Sequence, residues 1–171
     1  MNRREFLQRA GLAVGSVLVW WDTSEGEDTP RMTDLWVVRD PADAIASAAP
    51  VEWAVKQVGA VLGGIGVSLR NCRSISDVPA GAPCLIAAGP KAEPARDVLS
   101  TQHVSFPDRP ESLALFNTSV AGHKTLVACG RDVRGLVYAL TEIADMASHP
   151  MEAGSLLDQE KSVVEQPANS V

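Results

Sequence analysis

Acid–base chemistry needs carboxylates brought together, so that one gives a proton while the other attacks or stabilises charge. Isolated acids such as Asp97, Asp132, Glu142 and Asp145 sit on predicted helices. Glu142 and Asp145 are three residues apart on what reads as the polar face of one helix, the pattern of a solvated surface. No Asp-Glu dipeptide occurs anywhere. His103, His123 and His149 all fall in predicted loops or turns, and none shows the i, i+4 spacing of a helical metal pair, so they read as surface residues. Cys72, Cys84 and Cys129 form no C-x-x-C and are an odd number, which argues against a disulfide framework. Cys84 and Cys129 sit in apolar runs and read as buried thiols; a single bridge from Cys72 to Cys129 or Cys84 stays open. "GGIG" (63–66) ends a helix instead of opening one, the wrong end for holding an anion. "AAGPK" (87–91) follows a strand but lacks the second glycine and the Lys-Ser/Thr of a P-loop, so both are turns. No catalytic, cofactor or metal site emerges.

These residues ride on recognisable elements. "LWVVR" (35–39) reads as a first strand closed by Asp40-Pro41. In "VEWAVKQVGAVLGGIG", Ala54, Val55, Val58, Leu62 and Ile65 share one helical face, and glycines supply the stop. "VSLRNC" (67–72) suits a second strand. "CLIAAG" (84–89) is apolar without alternation, as a central strand covered on both faces would be. Pro94 suits the first turn of a short helix that turns Ala95, Val98 and Leu99 inward. Ser112 to Thr118 and Lys124 to Cys129, with a turn at Gly122, read as a hairpin.

The strongest helical pattern is Val133, Leu136, Val137, Leu140, Ile143, Ala144 and Ala147, with Asp132 as N-cap. Gly135 in its first turn costs about 1 kcal/mol relative to alanine, which implies close approach to a neighbouring strand. Arg134 and Tyr138 lie one turn apart. They either face a partner together, or Arg134 lies over a half-buried Tyr138. Ser162 to Glu165 is a last short β-like run.

The 171 residues carry a formal net charge of −6, and no Lys/Arg cluster follows the first few residues, which excludes nucleic acid as a natural partner. At the N-terminus, Arg3 and Arg4 precede an apolar run from about Ala10 to Trp20, the layout of an export signal. Arg3, Arg4, Phe6 and Leu7 resemble the twin-arginine signal. Asn2 and Gln8 depart from its usual residues, and an amphipathic first helix is the competing reading. The resemblance implies handling by the twin-arginine export machinery and a periplasmic or other extracytoplasmic location, with an uncleaved anchor still open. On this reading residues 1–21 are the signal, 22–34 a polar linker, 35–150 the domain and 151–171 a tail. About 135 residues then remain, enough for a single core.

Gly130, Arg134, Gly135, Leu136, Tyr138, Ala139 and Leu140, with "LIAAG" before them, resemble the small α+β domain that precedes the catalytic barrel in exported glycoside hydrolases of the β-N-acetylhexosaminidase and α-glucuronidase type. The resemblance implies a small mixed sheet with two main helices packed on it. It also implies a non-catalytic accessory role in carbohydrate metabolism, with a catalytic barrel or carbohydrate as partner. The Asp-Glu pair that works in such barrels is missing from this sequence, so the chain is expected to be the accessory portion, present as a fragment. A stand-alone exported module that binds a glycan or envelope protein is the alternative.

Overall fold

A computed structural model of the chain describes residues 34–149, 155–158 and 163–165. Strand β1 (Asp34–Val38) leads to helix α1 (Ala49–Gly64), β2 (Ser68–Cys72), β3 (Cys84–Ala88), α2 (Ala95–Thr101), β4 (Leu113–Val120), β5 (His123–Gly130), α3 (Val133–Ser148), the short α4 (Ser155–Asp158) and β6 (Val163–Glu165). The strands form one six-stranded sheet in the order β2-β1-β3-β5-β4-β6. The pairs β1–β2, β1–β3 and β3–β5 are parallel, whereas β4 runs antiparallel to both β5 and β6. The protein is therefore α+β, with a mixed sheet, as its sequence suggests.

Alternation along the strands sorts the core into two faces. Leu35, Val37, Leu85, Ala87, Leu126 and Ala128 point toward α1 and α3, whose buried residues include Val58, Leu62, Leu136, Leu140 and Ile143. Val38, Cys84, Ile86, Ala88, Val127 and Cys129 point the other way, toward Ala95, Val98 and Leu99 of α2. The two main helices thus share one face while α2 covers the other, giving three layers. β3 is buried at every position because it lies inside the sheet with both faces covered. Each such Leu, Ile or Val contributes about 1.5–3 kcal/mol through removal from water.

The expected elements form, with local differences. Ile65, read from spacing as part of the inward face of α1, lies just past the helix end and is 40% exposed. The helix has already stopped there, and Gly66 takes a positive φ of 81° to turn the chain. The hairpin between β4 and β5 turns at Ala121 (φ 50°) and Gly122 (φ 83°), both left-handed, the geometry that matches strand twist in a two-residue turn. The sheet takes in residues past 150. β6 pairs with β4 through Leu113↔Glu165, and Leu156 of α4 is buried in the α1/α3 core.

Candidate functional site

In a sheet of parallel strands, a crevice opens where chain segments leaving adjacent strands depart to opposite faces. Here β1 exits toward α1 on one face and β3 exits toward α2 on the other. Asp43 fastens the two exits together. One of its carboxylate oxygens accepts from Gly89 N at 2.7 Å and the other from Ile45 N at 2.9 Å. The approach is close at Gly89, where a Cβ would lie 2.8 Å from Ile45 Cδ1 and that methyl would have to shift. Open hollows flank Asp40 on either side at this carboxyl edge.

The hollow on the α2 side, about 500 Å³, is lined by Asp43, Lys91, Glu93 and Arg96 among others. Its arginine is neutralised, because Arg96 pairs with Glu93 at 2.9 Å and Asp97 at 3.0 Å. The hollow on the β2 side, about 350 Å³, is lined by Arg39, Asp40, Ser47, Glu52, Asn71 and Arg73 over a floor that includes Ala46. Each of its two carboxylates holds one partner and keeps further acceptor sites. Glu52 pairs with Lys56 at 3.0 Å, which holds its carboxyl below the ordinary value, and Asp40 accepts from Ala42 N at 2.8 Å. Arg39 donates to Asn71 Oδ1 at 3.4 Å, a long bond. Sequence reasoning passed over this hollow. The signal was present in the arginines that close "LWVVR" and follow "VSLRNC", since residues at strand ends feed the loops that carry function.

The motif residues of α3 serve packing. A Cβ on Gly130 would lie 2.0 Å from Leu136 N, and one on Gly135 would lie 2.3 Å from Ser112 O. The helix start is pressed against the end of β5 and the loop before β4, and that is the approach expected from Gly135. Leu136 is buried in the core. Asp132 caps α3 by accepting from Gly135 N at 2.9 Å, and its other oxygen accepts from Glu111 N at 3.0 Å. Partial burial pushes its carboxyl up, but the N–H groups of Gly135, Glu111 and Arg134 and the Arg134 guanidinium outweigh this and leave it below the ordinary value. Arg134 lies near enough to Tyr138 for the two to interact electrostatically. It bonds Glu111 Oε1 at 2.7 Å, leaving Tyr138 48% exposed.

The other candidate groups stay apart. Asp97, Glu142 and Asp145 are on helix surfaces, and Asp97 and Asp145 are exposed. His103 and His149 are exposed, but His123 is a correction: it is 6% exposed, with its ring Nδ1 2.9 Å from Ala82 O. β5 begins at His123, so the residue belongs to the sheet and not to the turn. All three cysteines are free thiols. Among the described residues no group of three His, Cys, Asp or Glu side chains is placed to hold a metal ion. Arg3, Arg4, Phe6 and Leu7 lie outside the described residues.

No family model and no curated protein sequence matches this chain. Solved structures do. One is a GH138 enzyme targeting pectin rhamnogalacturonan II, with a TM-score of 0.51 and 13% identity over 78% of this chain. Another is CpGH84D, with a TM-score of 0.52 and 8% identity over 68% of this chain. The distant structural neighbours are glycoside hydrolases. At these identities the likeness is one of fold. The match takes in only 15% of the first enzyme's chain and 18% of the second's.

Proposed function

We propose that this chain is a non-catalytic accessory domain of an exported glycoside hydrolase, with a catalytic barrel as its partner. The observation that carries the proposal is the asymmetry of the structural match. Most of this chain superposes on a small part of each neighbouring enzyme, 15% and 18% of their lengths. A fold alone does not establish function, and here the described side chains point the same way. A retaining or inverting glycosidase sets two carboxyl groups about 5–10 Å apart across the scissile bond. The carboxylates at the carboxyl-edge crevice are instead engaged: Asp43 with backbone N–H groups, Asp40 with Ala42 N, and Glu52 with Lys56.

Turnover of aryl glycosides by the purified protein is the direct test. The expected result is none above buffer. Turnover that disappears on replacing one of the chain's own carboxylates, Asp40→Asn for example, would overturn the proposal. The export part rests on Arg3 and Arg4. Replacing both with lysine should leave the protein in the cytoplasmic fraction, and unchanged export would remove that part.

A further inference from the structure

The hollow on the β2 side holds two arginines that, among the described residues, form no ion pair. In the β1–β2 pairing Val38 lies opposite Cys72, and Arg39 N donates to Cys72 O at 3.1 Å. The next residues, Arg39 and Arg73, therefore leave the sheet side by side, and both line the same hollow. Of the other described arginines, Arg109 lies outside the hollow and the rest are matched: Arg70 with Asp34, Arg96 with Glu93 and Asp97, Arg131 with Asp108, and Arg134 with Glu111. Glu52 is near enough to Arg39 to feel its charge, yet its ion-pair contact is with Lys56. Like charges brought to one hollow repel, and an anion between them reverses the sign. A guanidinium fork fits a carboxylate through two parallel hydrogen bonds.

The rest of the rim narrows the anion. Asp40, Glu52, the Asn71 carbonyl and Ser47 present oxygen acceptors around the arginines. Those acceptors suit hydroxyl donors and repel a dianion such as phosphate. A volume of about 350 Å³ is near the lower end of small-ligand sites, roughly 300–1,000 Å³, and fits a single ring better than an oligomer. Pro41, which is exposed, offers an apolar surface to the C–H face of such a ring.

We propose that this hollow binds a hydroxylated monocarboxylate, the chemistry of a uronic acid unit, with Arg39 and Arg73 gripping the carboxylate and Asp40, Glu52, Asn71 and Ser47 receiving the hydroxyls. The proposal goes beyond the accessory role and holds whether or not a barrel docks. The test is a titration of the ¹⁵N-labelled protein at low salt with galacturonate, galactose and inorganic phosphate in parallel. Galacturonate should shift the amides of Arg39, Asp40, Ala42 and residues 71–73 in a saturable way, and added salt should weaken it. Arg73→Gln and Arg39→Gln should each weaken galacturonate binding about tenfold or more, whereas Arg109→Gln, outside the hollow, should leave it unchanged. Arg73 is exposed, so its variant keeps the fold and decides the matter even if Arg39→Gln disturbs β1. Galactose binding equal to galacturonate, phosphate binding as tight or tighter, or no shift at tens of millimolar galacturonate would each overturn the assignment.

Discussion

Gly135 shows how far one residue can be read before the fold is known. A glycine in the first turn of an otherwise strong helix is a local penalty, so a reason for it must lie in packing. The reason is Ser112 O, which a Cβ at 135 would approach to 2.3 Å. The neighbour is backbone, held in place because the same oxygen accepts from Arg131 N at 2.9 Å. Alanine at 135 should therefore destabilise the protein by about 2 kcal/mol, the overpacking cost minus the gain in helix propensity. Gly63 is the control. It sits in the last turn of α1 with nothing within 4 Å of a would-be Cβ, so Gly63→Ala should stabilise by about 0.5 kcal/mol. Urea unfolding of the two variants should give opposite signs, and a shared sign would contradict the close-approach argument. The uncompensated arginines were less legible than this glycine. Arg39 and Arg73 are 34 positions apart, and only the β1–β2 register brings them together.

Elements follow the same division between local and non-local information. The continuous apolar run of β3 and the seven-residue stripe of α3 are written in period and composition, and both form as expected. Sequence periodicity carries no record of which face of the sheet a helix covers. α2 therefore goes to the opposite layer from α1 and α3 without a local signal. His123 escaped for a related reason: a two-residue turn lets β5 start one residue earlier than the apolar run does. Asp132 is the element-scale link that was legible, since its type and position mark an N-cap. Losing it should cost about 0.5–2 kcal/mol at neutral pH. Its folded-state carboxyl titrates below the unfolded value of about 3.9, so its stabilisation is fully present above that pH and is lost as pH falls through the depressed folded value. The stability gap between wild type and Asp132→Ala, measured by urea unfolding, should be constant from pH 7 to 5 and narrow below 4. A gap that does not narrow would show that the capping bond does not depend on charge.

At the scale of the whole molecule, a sheet covered on both faces leaves Cys84 and Cys129 fully buried, and this ties overall stability to alkaline pH. Burial pushes the Cys129 thiol up to about 12. Burial also raises Cys84, against the opposing hydrogen bond with Thr125 Oγ1 at 3.1 Å. In the unfolded chain both titrate near 8.5. Below that value folded and unfolded states carry the same thiol protons, and the stability is unaffected. Above it the unfolded chain has released protons that the folded core retains, so unfolding is favoured as pH rises toward the folded values. Each thiol contributes a slope approaching about 1.4 kcal/mol per pH unit in that window. Denaturant unfolding at pH 7, 9 and 10.5 should therefore show a steep alkaline loss of stability. The Cys84→Ala, Cys129→Ala double variant should begin less stable at pH 7, because small cavities replace the sulfur atoms, yet lose less between pH 9 and 10.5. Lysine and tyrosine titrate alike in both proteins, so they cancel in the difference between slopes. Equal slopes would mean that the two layers on either side of the sheet open to water without global unfolding, letting the thiols ionise in the folded state.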